Sequence, residues 1–390
     1  MRKVAACFLA MVMLAGMIAF SACDGGETEE AETYKIGAVF AVTGFNSPLG
    51  EPEKQTAEML EQQINDAGGI DGHQLDIIIY DTESDETKCL TSVKKLIEQD
   101  GVLAVIGPSS SGESLAILDT ITQAEVPLVS CAASSKIVEP VDERYWVFKT
   151  PQSDTLAVGE IYAYLTDQGI SKIALITDSG GYGSTGREQL VALADDWDMT
   201  IVADEKFGTQ DTDMTSQLTS IRGTEAEAVI CWGTNPGPSV IAQNMQALGM
   251  DLPLLNSHGI ANKQFIDLAG DAANGVIFPA GKLLVADQLP DTDPQKEVLV
   301  SYKEGFEALY GEGTTNTFGG HAYDAIMMLV SALEEVGPDS AAIRDALENI
   351  TEFPGTGGVF NMSATDHNGL SAGAFVLIEV VDGEWVWLQD

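Results

Sequence analysis

Three stretches of small and hydroxyl-bearing residues hold the chemistry this chain has to offer. Gly107-Pro108-Ser109-Ser110-Ser111-Gly112 follows an apolar run and opens an amphipathic one. Serine hydroxyls beside the unpaired N–H groups of a helix start form an anion site, suited to a carboxylate. A plain helix cap uses one serine, and here there are three. Ser130-Cys131-Ala132-Ala133-Ser134-Ser135 ends the next apolar run in the same way. Its small side chains let a ligand approach the backbone and its serines donate and accept hydrogen bonds, although a tight turn uses similar residues. In Asp178-Ser179-Gly180-Gly181-Tyr182-Gly183-Ser184-Thr185-Gly186, the spacing Gly181-x-Gly183-x-x-Gly186 fits a dinucleotide fingerprint, with Asp204 at a ribose-binding distance. Two features count against a pyrophosphate there: the motif lies mid-chain, and Asp178 and Ser179 separate it from its strand and bring in negative charge. The other use of this loop is Tyr182 as an aromatic lid, offering apolar area plus one hydrogen bond.

Two further strand ends complete the candidates. Trp232-Gly233-Thr234-Asn235-Pro236 contributes Thr234, and Asn256-Ser257-His258-Gly259 contributes His258, which suits either a ligand carboxylate or hydroxyl or a helix cap. There is no HExxH, GxxxxGK[ST] or GxSxG, and no histidine cluster with ligand spacing. His73, His321 and His367 read as isolated, and Phe318, Met327 and Met328 as helix core. No metal site and no cofactor is expected.

These loops need a scaffold of strands ending beside helix starts. From Tyr34 on, short β-rich apolar runs alternate with amphipathic stretches: 34–40, 75–81, 102–108 and 126–133, then 172–178, 200–207 and 228–233. Continuous apolar strands separated by helices mean parallel sheets covered on both faces. Two such series predict an α/β chain of two doubly wound parallel-sheet lobes. Helices dominate 293–350, and 375–388 reads as a hairpin turning at Asp382-Gly383. Late helices returning to the first lobe would interleave the lobes through several crossovers, giving a hinge with the ligand between sheet edges. The expected division is 34–151 plus 279–353 for lobe 1 and 152–278 plus 354–390 for lobe 2.

Composition narrows the partners. The chain of 390 residues carries a formal net charge of −41, which repels nucleic acid and anionic lipid. Met1-Arg2-Lys3, an apolar run from Val4 to Phe20, and Ser21-Ala22-Cys23 resemble a bacterial lipoprotein signal, with Phe20 in place of the usual leucine. That predicts residues 1–22 as signal peptide, Cys23 as the lipidated residue and acidic 23–33 as a flexible tether. The protein would then be exported and lipid-anchored on the outer face of the cytoplasmic membrane or in the periplasm. Cys89, Cys131 and Cys231 have no CxxC spacing and read as buried thiols, with one disulfide among them left open.

Taken in order, IGAVFAVTGFNSPLG, INDAGGIDGHQLDIIIYDTESD, VIGPSSSGESLA, VPLVSCAASS, ITDSGGYGSTG, GTNPGP and HAYDAI resemble the solute-binding proteins of branched-chain amino acid ABC importers, over essentially all of 34–390. The resemblance implies the type I periplasmic binding fold, no enzymatic activity, a monomer, and an ABC permease as partner. It implies that lobe 1 holds the ligand carboxylate through Ser111, Ala132 and Ser134, with Leu49 (in the loop after the first strand) and Ser109 on the same wall, and that Tyr182 closes over it from lobe 2. Two positions depart from the family pattern. His258 stands where amino-acid binders present a glutamate to the ligand ammonium, and Thr234 where a second aromatic closes the pocket. Ser84 and Ser110 stand where some relatives have a disulfide pair. Two ligand classes follow: a branched-chain or related amino acid whose ammonium is held elsewhere, or an amine-free aromatic or short branched acid. The rivals of another class are a nicotinamide-dependent oxidoreductase using Gly181–Gly186 and a sensor domain for a signalling partner.

Overall fold

The computed structural model describes residues 33–389, so the expected signal, Cys23 and the tether up to residue 32 lie outside the described residues. The first half of the body is a run of β–α units: β1 Tyr34–Phe40, α1 Ser47–Asp66, β2 Leu75–Asp81, α2 Glu86–Lys95, β3 Val105–Ile106, α3 Ser111–Ala124, β4 Leu128–Ser130 and β5 Val147–Lys149. A second run follows: α4 Asp154–Asp167, β6 Lys172–Asp178, α5 Gly181–Leu193, β7 Thr200–Phe207, α6 Thr215–Arg222, β8 Ala228–Trp232, α7 Gly237–Ala247, β9 Leu254–Asn256, α8 Gln264–Ala269 and β10 Ile277–Ala280. The chain ends with α9 Lys296–Tyr310, α10 Thr317–Val336, α11 Ser340–Glu348, the two-residue strands β11 Phe353–Pro354 and β12 Val359–Phe360, and the hairpin β13 Val376–Val381 and β14 Glu384–Trp387.

The strands form two large sheets. Five parallel strands run in the order β2-β1-β3-β4-β5, and seven run β14-β13-β10-β9-β8-β6-β7, parallel except for the antiparallel hairpin at one edge. Each sheet buries apolar clusters on both faces. That is why strands such as AVICW (228–232) are apolar throughout instead of alternating.

Several boundaries differ from the expected ones. The first helix begins at Ser47, because Pro48 sits in the opening turn, where its fixed φ and missing N–H are tolerated. Leu49 is therefore on α1 and not in a loop. The α-helical part of α2 stops at Lys95 and finishes as a π turn capped by Gly101 at φ +70°. The lobe boundary expected at 279 falls early, since Pro279 and Ala280 still pair with Leu377 and Val376 in the seven-stranded sheet. The return expected at 354 is early as well: Phe360, Met362 and Leu370 bury in the same cluster as Phe40 and Phe148 of the five-stranded sheet.

The chain passes between the sheets after β5, after β10 and before β13, and these crossovers are bonded to one another. Gln152 Nε2 donates to Gly357 O at 2.6 Å, Asn368 Nδ2 to Pro151 O at 3.0 Å, and Gln295 Nε2 to Gly355 O at 2.9 Å. Asp324, buried on α10, accepts from the N–H of Thr356 at 2.6 Å and of Gly357 at 2.7 Å. Burial pushes its carboxyl up to about 7, against the opposing pull of those donors.

Candidate functional site

Between the carboxyl ends of the two sheets lies a cavity of 170 Å³. From the first sheet's side it is walled by Phe45 and Leu49, the serines 109–111 with Gly112, Cys131 to Ala133, and Phe318 and His321 of α10. Asp178, Gly180 to Tyr182, Thr209, Thr234, His258 and Gly259 face them from the second sheet's side. Ligands in open parallel sheets sit beyond strand ends where helix starts converge, and here the starts of α3 and α5 meet from opposite sides.

That meeting is close. A Cβ built on Gly181 would lie 2.6 Å from the Gly112 Cα, so two glycines let the helix starts touch. Other bonds cross the cleft nearby: Asn262 Nδ2 donates to Pro48 O at 3.0 Å, and Lys136 pairs with Glu188. The molecule is in its closed form.

The serine loop divides its labour. Ser110 caps α3, accepting from Glu113 N at 3.3 Å while its hydroxyl donates to Glu113 Oε2 at 2.6 Å. Ser109 Oγ accepts from Ala41 N at 3.0 Å and donates to Glu53. Glu53 is fully buried and its pKa is raised well above the usual carboxylate range by desolvation. Ser111 Oγ accepts from Ser134 N at 3.3 Å, and among the described residues no hydrogen bond takes up its proton. Ser111 is thus the hydroxyl of this loop left to donate to a ligand.

Seven of the eight expected ligand-contacting residues come together around the cavity: Leu49, Ser109, Ser111, Ala132, Tyr182, Thr234 and His258. Ser134 does not line it. Its hydroxyl turns back to accept from Lys136 N at 3.3 Å, capping a short 3-10 turn, and its contribution is the N–H that fixes Ser111.

His258 is buried among aromatic rings, with Tyr182 and Phe375 centroids at 5.7 Å and 5.4 Å. Tyr182 Oη lies 3.4 Å from its Nδ1. Desolvation drives its pKa down to about 3, helped by the charge of Lys149, so the ring is neutral at pH 7. A neutral ring is no counter-ion for an ammonium group. His321, read from sequence as isolated, lines the same cavity and is likewise lowered to about 3 by burial, with His258 and Lys149 adding to the effect. The other two histidines do lie away from the cavity: His73 stacks on Tyr34 at 4.5 Å, and His367 stacks on Phe148 at 4.3 Å and bonds to Val147 O at 2.9 Å.

Phe318 was expected in the helix core, and it lines the cavity while remaining nearly buried. With Phe45 it gives the first lobe two aromatic walls, across the cavity from Thr234, where the family pattern has its second aromatic. Phe45 lies inside one of the motifs that carried the family resemblance, and a phenylalanine between Gly44 and Asn46 in a loop was the available signal. His321 lies in HAYDAI, another of those motifs, and reads as isolated because nothing local brings it to a cavity.

The glycine motif has a packing explanation. Gly181 allows the approach to Gly112, an added Cβ on Gly183 would lie 2.2 Å from Asp178 O, and one on Gly186 would lie 2.1 Å from the Trp232 indole nitrogen. Asp178 Oδ1 accepts from Gly180 N at 2.7 Å, so a carboxylate already sits at the α5 start, where a pyrophosphate would bind. Burial raises that carboxyl to about 6, although the N–H groups of Gly180 and Gly183 pull it down. Cys89, Cys131 and Cys231 are buried free thiols. Among the described residues no cluster of three or more His, Cys, Asp or Glu side chains has metal-holding geometry.

Two doubly wound lobes joined by three crossovers, closed over a buried cavity at their strand ends, define a two-lobed solute-binding protein of the α/β class. The sequence agrees: residues 33–384 match the family model described as periplasmic binding protein, and the chain belongs to that family. Among curated relatives, the Leu/Ile/Val-binding protein homolog 3 of Brucella melitensis is 24% identical over 96% of this chain and 99% of its own. An extracellular ligand-binding receptor from Rhodopseudomonas palustris HaA2 superposes with a TM-score of 0.86 at 27% identity, covering 91% of this chain and 99% of that one. The branched-chain amino acid transporter substrate-binding protein of Streptococcus pneumoniae, solved with isoleucine, gives a TM-score of 0.79 at 25% identity over 92% of this chain and 100% of that one. Family membership implies a location outside the cytoplasm, and no helix of the described residues is long and apolar enough to cross a membrane.

Proposed function

We propose that this protein is the receptor of an ABC importer, holding a small carboxylated solute between its lobes and presenting the closed complex to a membrane permease. The observation that carries this reading is the convergence of the α3 and α5 starts on one buried cavity, with the Ser111 hydroxyl proton uncommitted. A carboxylate there takes N–H groups and a hydroxyl at the positive end of α3. Contacts from both lobes favour the closed state over the open one, and that difference in affinity is the signal a permease reads. The hydroxyl–carboxylate bonds of Ser109 to Glu53 and of Ser110 to Glu113 hold the serine loop, His258 meets Tyr182 instead of a serine, and binding alone accounts for the site. A sensor domain would share this pocket and differ in its docking partner, which neighbouring permease genes would identify.

The names of the relatives favour a branched-chain or related amino acid. For such a ligand Asp178, Glu86 and Glu113 are the carboxylates at the cavity wall that could meet the ammonium. The neutral state of His258 favours the second reading, an amine-free acid of similar size. A thermal-shift screen of residues 24–390 against amino acids, aromatic acids and short branched acids separates the two. At a hundredfold excess over its dissociation constant a ligand adds roughly 2.7 kcal/mol of stability. No shift with any carboxylate would remove the receptor reading.

Ser111→Ala is expected to weaken binding of the best acid by about 1–3 kcal/mol, the cost of leaving a buried charged acceptor without its donor. Titration calorimetry measures this, and unchanged affinity would take Ser111 out of the site. We also propose a monomer tethered through lipidated Cys23. Cys23→Ala is expected to move the protein from the membrane fraction to the soluble one, and persistent sedimentation with membranes would refute the anchor.

A further inference from the structure

The carboxylate site leaves part of the cavity's polarity unused. His258 Nε2 and His321 Nδ1 are buried ring nitrogens without a hydrogen-bond partner in the closed form. The side chains are 6% and 4% exposed, they come from opposite lobes, and both line the cavity. A buried polar nitrogen left unpaired carries its full desolvation cost, so two in one cavity point to a ligand group that meets them. The main-chain N–H groups of the α3 start and Ser111 serve the carboxylate and leave these rings free.

We infer that the ligand is a carboxylate that also carries a neutral hydrogen-bonding group, a hydroxyl or a carbonyl, seated between His258 and His321. A hydroxyl donates to one neutral imidazole and accepts from the other. A carbonyl accepts from one or both rings. An ammonium group has three donors and no acceptor, and among the described residues no carboxylate is bonded to either ring. A bare hydrocarbon leaves both nitrogens unpaired. Because the rings belong to different lobes, a group bonded to both ties the lobes together, adding to closure what the carboxylate supplies at α3.

This inference rests on the receptor reading and deepens it. The test uses the whole soluble chain, residues 24–390, and titration calorimetry with matched acids in two series. One series is 4-methylpentanoate with its 2-hydroxy, 2-oxo and 2-amino forms; the other is benzoate with its 4-hydroxy and 4-amino forms. The expected result is that in at least one series a hydroxy or oxo member binds at least tenfold tighter than the bare acid and tighter than the amino member. His258→Phe and His321→Phe, each checked by melting without ligand, are expected to bring that member down to the affinity of the bare acid, which itself changes little. Where a variant fails to fold, the wild-type series decides alone. A bare or amino acid that binds best overturns the inference and leaves the receptor reading standing. No binding by any carboxylate overturns both.

Discussion

Gly181→Val is expected to lower affinity for the protein's best-bound acid by about a hundredfold or more, corresponding to about 2.7 kcal/mol. The reason is steric. A single Cβ at this position would come within 2.6 Å of the Gly112 Cα and 2.7 Å of its nitrogen, and both of those atoms are backbone that cannot swing aside. A branched side chain there holds the starts of α3 and α5 apart and keeps the lobes open. In the open form the valine meets nothing from the first lobe, so the melting temperature without ligand should stay within about 2 °C of the parent. A ligand that binds one conformation better shifts the equilibrium only by that difference, and blocking closure removes the difference. Calorimetry and small-angle scattering with and without ligand would test it: retained affinity with normal compaction would mean that closure does not need this contact. Gly186→Ala is the informative contrast. Its Cβ would strike the Trp232 indole within one lobe, so stability falls first.

The second large effect lies in the hinge. Asp324→Ala removes the one carboxylate that accepts from the N–H of Thr356, the Thr356 hydroxyl at 3.1 Å and the N–H of Gly357. Buried donors left without an acceptor cost about 1–3 kcal/mol each, so a loss of about 2–5 kcal/mol is expected in urea unfolding. A loss under about 1 kcal/mol would mean that the crossover finds other acceptors. The pH dependence gives a second readout. Burial raises the folded-state pKa of Asp324 to about 7, above the unfolded value of about 3.9. Between those values the folded state binds more protons than the unfolded one, so this carboxyl's contribution is present below about pH 4 and is lost as pH rises through about 7. Asp324→Asn, which cannot titrate, should flatten the stability profile over that window. An unchanged slope would assign the pH dependence to other groups.

Neighbouring polar groups explain why the hinge tolerates such burial. Lys149, fully buried in β5, donates its ammonium to Pro151 O at 2.6 Å, and desolvation lowers its pKa to about 7. Its charge is one of the influences that keep His258 and His321 neutral. The charges that shape the pocket's chemistry therefore sit partly in the hinge behind it.

The chain's own order of residues determined the scaffold. Apolar strands with no polar alternation dictate parallel sheets buried on both faces, and serine-rich loops after such strands dictate helix starts facing a ligand. Both are local consequences of residue type, and both are found at β3–α3 and β6–α5. Local pattern also picked out Ser111, Tyr182 and His258, which the fold brings to one cavity. It failed where the outcome depends on contacts far apart in the chain. Ser134 has the composition of a ligand donor, but its N–H is taken by Ser111 and its hydroxyl by its own turn. Phe318 reads as helix core and His321 as an isolated histidine, and only the return of α10 to the first lobe brings its start to the cavity. The lobe boundaries moved for the same reason, since 359–374 has no pattern to distinguish which sheet it will cover. Which glycines touch across the cleft, which hydroxyl keeps a free proton and which imidazole loses its charge are decided by desolvation and packing between segments that the sequence separates by tens to hundreds of residues.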